Sequence, residues 1–438
     1  MPLLIIFLAI VVLLLLVVLF RFNAFIALIL VALGAGVALG MPLLDTVASM
    51  KKGVGGTLGS LALILGFGAM LGALIADSGA AQKITNQLIN RFGLKNIQWA
   101  MVLTGFIVGI PIFYTVGFIM LIPIIFAVAA STRLPLLYVG IPMIASLSVT
   151  HGFLPPHPAP TAIVEIYGAD MNLTLLYGLI LAIPTVIIAG PIFGSTFKNI
   201  RTAAPENLFP LKEIPANQLP SFWVSVLTGL VPVLLMLASA IAKLYLPQES
   251  VTASILNFVG DPVIAILIAV LIAIYTLGLR MGKSMKAVME TCVKSVQAIA
   301  IILLIIGAGG AFKQVLIDSG TGDYIADLLK DSPISPLLLA WCIAAALRIA
   351  LGSATVAALT AAGIALPLIQ STDVSPELLV LATGAGSLTF SQVNDTGFWL
   401  FKEYFNLSIG ETFRSWTVME TLVSVIGLAG CLLLNLIV

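Results

Sequence analysis

Charge is scarce in this chain. Of its 438 residues only 9% are Asp, Glu, Lys or Arg, whereas a soluble domain carries about 25%. That shortage excludes a water-solvated surface of ordinary size, and the formal net charge of +1 gives no basis for binding nucleic acid. Histidine is rarer still, at two residues, and the three cysteines, Cys292, Cys342 and Cys431, have neither paired nor metal-ligand spacing. A disulfide framework and a structural zinc site are thereby excluded, and the cysteines read as packing residues. Polar sequence is also short. The longest such stretch, Phe197 to Ser221, holds Lys198, Arg201, Glu206, Lys212 and Glu213 and leaves no room for a soluble cofactor-binding domain.

What is present is apolar: 60% of residues are hydrophobic and the mean hydropathy is +1.17. Apolar runs lie at about 2–20, 24–42, 54–76, 98–130, 136–165 and 173–197, and again at about 222–247, 258–279, 293–317, 335–370, 376–400 and 411–438. The opening run lacks a basic leader and a small-residue cleavage pattern before Arg21, so it reads as a retained helix. The segment GFGAMLGALIADSG (Gly66 to Gly79) returns as GAGGAFKQVLIDSG (Gly307 to Gly320). An internal repeat in such a chain predicts a transporter of two related halves with its site where they meet. The boundaries expected are residues 1–197 for the first repeat, 198–221 for a cytoplasmic linker and 222–438 for the second repeat.

Two runs per half are not simple spans. Those at 98–130 and 335–370 are too long for one crossing and carry Gly109, Pro111 and Gly117, or Gly352 and Ser353, at their middles. Each reads as a re-entrant helical hairpin. THGFLPPHPAPT (Thr150 to Thr161) and SQVNDTGFW (Ser391 to Trp399) read as broken helices. The fold expected is an all-α polytopic membrane protein of two inverted repeats, each with about five transmembrane helices, one of them broken, plus a hairpin. Irregular backbone at membrane depth survives only where protein or water satisfies it, so the four interruptions should converge on a site. Basic residues such as Arg91, Arg133, Lys198 and Arg280 then crowd one face, making it cytoplasmic and placing both termini outside.

The hairpin tips align as IFYTVG and GSATVA, pairing Thr115 with Thr355 and bringing in Ser353. Their hydroxyls suit sugar OH groups or a cation, although ordinary helix packing is an alternative. Arg348 lies in an otherwise uncharged hairpin arm, where a guanidinium costs about 2.5–3.5 kcal/mol to insert. It offers a fork to a carboxylate, with a structural ion pair as the alternative. His151 and His157 lie in the first break and suit proton binding or hydrogen bonding to a hydroxylated substrate, with a structural role, each ring satisfying a freed backbone carbonyl, as the alternative; no acid completes a metal set. Asn394, Asp395 and Thr396 occupy the second break, and Asp395 reads as a proton carrier or a helix cap. Asp77 and Asp318 close the repeated segment as caps or gate contacts. With no nucleophile–base pair or metal motif, an enzyme is not expected, nor is a cofactor beyond a coupling proton.

On KGVGGTLGSLALILGFGAMLG (Lys52 to Gly72), SVTHGFLPPHP (Ser148 to Pro158), RIALGSATVAALT (Arg348 to Thr360) and VNDTGFWLFKEYFNL (Val393 to Leu407), the whole chain resembles the gluconate permease family of gluconate:proton symporters. It is similar more widely to two-hairpin anion symporters. The resemblance implies a bacterial inner-membrane transporter that imports gluconate or a related sugar acid with a proton, by elevator-like motion and as a homodimer. Idonate, another aldonate, glycerate or a different cation are the alternatives. Three departures stand out: Thr115 replaces the family's usual hairpin acid, Gln392 stands where SHVND is common, and Ala159 where HPGP is usual.

Overall fold

A computed structural model describes residues 2–200, 214–247, 249–320, 334–366, 374–393 and 395–438. Among these residues every regular element is helical. Helix α1 (Pro2–Leu14) runs on through a π turn at Leu15–Leu19, and α2 (Ala24–Ala38) follows. The first copy of the repeated segment ends the long α3 (Leu43–Asp77), which the short amphipathic α4 (Ala80–Phe92) succeeds. Then come α5 (Ile97–Gly109), α6 (Tyr114–Thr132), α7 (Leu136–Phe153), α8 (Pro158–Tyr167) and α9 (Met171–Ile187). Past the polar stretch lie α10 (Phe222–Tyr245), α11 (Val251–Val259), α12 (Pro262–Ala273) and α13 (Met285–Asp318), the last ending in the second copy. Helices α14 (Pro336–Leu351), α15 (Ala354–Ala365), α16 (Pro376–Gly386), α17 (Thr396–Tyr404) and α18 (Val418–Leu434) complete the chain.

Seven stretches among the described residues are long and apolar enough to cross a membrane. Their outward faces carry Ile183, Leu234 and Leu271, all exposed, as lipid contact requires. This is a multi-pass membrane protein. The stretch through α7 and α8 is instead almost wholly enclosed by protein, which permits its interruption at residues 154–157, where Pro155 and Pro156 remove two N–H donors. Residues 387–395 interrupt the apolar run between α16 and α17. The two breaks meet, since a Cβ on Gly152 would strike Leu388, and one on Gly384 the carbonyl of Gly152.

The two long runs each divide in the middle. Gly105 faces Met143 and Ser146, while Gly109 faces Leu147 and Thr150, so α5 runs parallel to α7. Gly117 faces Leu147 and Gly140 faces Ile125, so α6 runs antiparallel to α7. The chain therefore reverses at residues 110–113, beside Pro111. In the second run the reversal falls at Gly352, whose φ of +72° suits glycine, and α14 packs closely on α15. Sequence reasoning gave no element for α4, which is too polar to register as a span, or for α11, which is apolar but only nine residues long.

The copies of the repeated segment pack on one another. Gly53 faces Gly310 and Gln314, and Gly307 faces Val54 and Leu58, so α3 and α13 cross antiparallel with backbones nearly touching. Each copy's aspartate reaches the other helix or its lead-in. Asp318 accepts from Ser49 Oγ at 2.8 Å and lies 3.8 Å from Lys52 Nζ; Asp77 accepts from Lys283 Nζ at 2.7 Å and from Thr291 Oγ1 at 3.3 Å. These are cross-helix contacts at the two ends of one rod-like pair.

Asp170 ties three further segments together. Its side chain caps α9 through the amides of Asn172 and Leu173 and pairs with Lys243 on α10, while its own amide donates to Glu377 on α16. Burial opposes its charge, but Lys243 and the two amides outweigh burial and hold the carboxyl below its usual range. Asp170→Ala is expected to lose about 0.5–2 kcal/mol, read as a lower unfolding temperature in detergent. Because the folded carboxyl titrates below the unfolded one, the wild-type advantage is complete above the unfolded value and disappears as pH falls through the folded one.

Candidate functional site

A cavity of about 230 Å³ opens where the two breaks and the second reversal converge. That is below the roughly 300–1,000 Å³ of drug-sized pockets and suits a small molecule. Its walls mix apolar groups, among them Phe113, Ile302, Leu388 and Trp416, with Ser148, His151, Arg348, Ser353, Thr355, Asp395 and Glu420.

Arg348 sits in the last turn of α14, where a cation complements the helix dipole, and the reversal at Gly352 turns α15 back beside it. Only 3% of its side chain is exposed. Its Nη2 donates to Asp395 Oδ2, whereas Nε and Nη1 are buried with no partner among the described residues. Asp395 opens α17. Its Oδ1 accepts from the Gly397 amide at 2.9 Å, and its Oδ2 accepts also from Ser391 Oγ. The aspartate thus caps a helix with one oxygen and neutralises a buried cation with the other. Ser391 is fixed in turn by Trp416 Nε1, which donates to its hydroxyl at 2.7 Å, and by Thr417 Oγ1, which donates to its carbonyl.

His151, in the last turn of α7, lines the same cavity, with its Nδ1 buried without a partner among the described residues and its ring 5.5 Å from those of Tyr114 and His157. His157 lies behind the cavity lining, where Nε2 donates to the Gly109 carbonyl at 2.9 Å. That carbonyl is among those freed at the end of α5, so the histidine satisfies backbone left open by the reversal. Ser353 caps α15 through the Val356 amide at 3.4 Å, and both it and Thr355 face the cavity. Gln392 turns away to donate to the Ile349 carbonyl at 3.0 Å. Asn394 lies outside the described residues, as do the side chains of Thr115 and Thr396; the backbones of the two threonines open α6 and α17.

Sequence reasoning missed Glu420. It sits in the first turn of α18, only 2% exposed, accepts a hydrogen bond from Ser148 Oγ and faces the same cavity. Its signal was present: a lone carboxylate in the apolar run VMETLV deserves the suspicion given to any intramembrane acid. Among the described residues no three His, Cys, Asp or Glu side chains gather as a metal set.

Comparisons with known proteins agree with this architecture. Over 94% of this chain and 97% of its own, the crystal structure of the Alcanivorax borkumensis YdaH transporter superposes with a TM-score of 0.67 at 16% identity, a likeness of fold. The high-affinity gluconate transporter of Escherichia coli K12 is 60% identical across the full length of both chains. The Gnt-II system L-idonate transporter of the same organism is 53% identical over 99% of each. The family model described as GntP family permease matches residues 1–437, and with whole-chain relatives at these identities the chain belongs to that family of permeases.

Proposed function

We propose that this chain is a secondary active transporter importing gluconate or a closely related sugar acid by proton symport across the bacterial inner membrane. The observation that carries the reading is Arg348, a buried guanidinium with two unpartnered nitrogens in a cavity also lined by hydroxyls. Free guanidinium N–H groups suit a carboxylate, and Ser353 and Thr355, with Thr115, Asn394 and Thr396 placed by the sequence at the reversals and breaks, suit a polyol chain. The relative named for gluconate supports that substrate, and the one named for L-idonate supports another aldonate as the second reading.

Asp395 and His151 are the coupling groups in this proposal. An arriving carboxylate competes with Asp395 for Arg348, and an aspartate released from its cation inside a membrane takes a proton. His151 lines the same cavity, its Nδ1 without a partner among the described residues, and passes that proton in this reading. Binding of anion and proton then favour one another. His157 supports the site through Gly109 and holds the first break in place.

Residues 1–197 and 222–438 are the two inverted repeats in this reading, joined by a cytoplasmic linker at 198–221 of which 201–213 lie outside the described residues. Both termini face the periplasm. The repeated segment and the antiparallel pairing of α3 with α13 support that symmetry. Hairpins and breaks move as one elevator-like unit against the outer spans, and the working form in the lipid bilayer is a homodimer.

The experiment is uptake of labelled gluconate by the purified protein in proteoliposomes, with and without an inward proton gradient and against competing sugar acids. Saturable accumulation against the gluconate gradient, driven by protons, is expected. Uptake that saturates but ignores the proton gradient would remove proton symport, and a competitor that outbids gluconate would move the substrate assignment.

A further inference from the structure

The cavity holds two carboxylates with opposite surroundings and a single described cation between them. Asp395 has Arg348, Ser391 and a backbone amide to stabilise its charge. Glu420 is as enclosed but has only the neutral hydroxyl of Ser148 as a hydrogen-bond partner among the described residues, and it forms no ion pair there. The charged and titratable groups facing it are Arg348 from α14, Asp395 from the second break and Tyr114 from α6, with His151 one turn from Ser148 on α7. With both acids ionised, Arg348 contributes one positive charge against two negative ones, so the cavity is anionic before any anion enters. Two carboxyl groups in unlike environments, one charge-stabilised and one not, divide the roles of permanent counter-ion and proton holder.

We propose that Glu420, held by the Ser148 hydroxyl, is a proton-binding site of this transporter, and that its protonation is the condition under which an anion enters beside Arg348. Protonated, Glu420 is a neutral acid beside a balanced Arg348–Asp395 pair. Ionised, it sets a like charge against the incoming carboxylate in a water-poor site. The proton comes from water wetting the cavity on the loading side, sits on a Glu420 carboxyl oxygen, and leaves to water on the other side once the anion has gone. The inference rests on the reading of the cavity as an anion site. It adds a second proton site to the exchange at Asp395, one that sits on α18 and not at either break.

The test uses the full-length protein in proteoliposomes and measures gluconate counterflow at equal pH on both sides, so that no proton gradient is needed. For each proton bound with the anion, the half-saturation constant rises by up to about tenfold per pH unit once pH exceeds that group's titration. Glu420→Gln, which imitates the protonated acid, is expected to keep exchanging at acid pH and to lose one proton's worth of that slope. Equal slopes in wild type and variant overturn the proposal, and so does a folded variant that cannot exchange at acid pH. Should Glu420→Gln fail to fold, Ser148→Ala carries the test. Losing the donor to the ionised form moves the midpoint of the rise to higher pH, and an unmoved midpoint overturns the proposal. A wild-type protein that does not exchange gluconate but exchanges another anion corrects the substrate reading instead, and that anion becomes the probe. Uptake indifferent to a proton gradient overturns release of the Glu420 proton on the far side, together with symport, while the counterflow slope reports proton binding by itself.

Discussion

Arg348→Lys is expected to raise the half-saturation concentration for gluconate about 10- to 100-fold, a loss of roughly 1.4–2.8 kcal/mol, while leaving the protein folded. Lysine keeps the charge that neutralises Asp395 but presents a point donor in place of a planar fork. In the protein Nη2 is committed to Asp395, while the N–H groups of Nε and Nη1 on either side of it have no partner among the described residues, so the substitution removes the donors that a carboxylate would reach. Arg348→Ala is harsher. It strands Asp395 as an enclosed carboxylate, at a cost of about 3–5 kcal/mol, and is expected to abolish uptake and lower the folded yield together. Combining it with Asp395→Asn should recover yield without recovering uptake, separating the structural part of the ion pair from its part in transport. Unchanged gluconate affinity in Arg348→Lys would take the arginine out of the carboxylate-binding role.

The second large effect is expected at Gly310. A Cβ there would stand 2.7 Å from both the carbonyl oxygen of Gly53 and Cβ of Thr57, and the oxygen is backbone that cannot rotate away. Gly310→Val must therefore push α3 and α13 apart along a contact that also carries Ser49, Lys52 and Asp318 at one end and Asp77, Thr291 and Lys283 at the other. Overpacking costs about 1–3 kcal/mol where side chains can yield, and a backbone clash lies at or above that range. Loss of most monodisperse protein on extraction is the expected result. Gly59→Ala is the control, because nothing lies within 4 Å of the added carbon and the helix gains propensity. It should purify as well as wild type; equal loss in both variants would mean that the glycines matter for something other than the close approach.

The contrast between those two glycines shows what was legible from sequence. Glycine density in α3 was visible, but which glycine meets a neighbour depends on the crossing point of two helices 241 residues apart in the repeat. Breaks and reversals were visible because prolines and glycines interrupt apolar runs that a bilayer would otherwise keep continuous. Their positions shifted by only a few residues, to 110–113, 154–157, 352–353 and 387–395. Arg348 was visible because charge is rare here. A structural ion pair was among the alternatives for it, but Asp395 was not named as the partner, since 47 residues separate the two and the contact exists only when α14 packs beside the second break. Glu420 was passed over because its run was scored as a span, and averaging hydropathy over a window hides one carboxylate among many apolar neighbours. That a histidine of the first break would satisfy a freed backbone carbonyl was one of the sequence readings, but which carbonyl His157 bonds to, that of Gly109, depends on how α5 packs against the break.

That bond makes a mechanical linkage of what would otherwise be two independent parts. The carbonyl belongs to the last residue of α5 and the ring to the residue just ahead of α8, so the first reversal and the first break share a rivet. Any displacement that carries one past the lipid-facing helices must drag the other or shear the joint. A strain gauge on either, such as a distance reporter between α5 and α8, should therefore read nearly constant throughout the transport cycle, while distances from both to α9 are free to change.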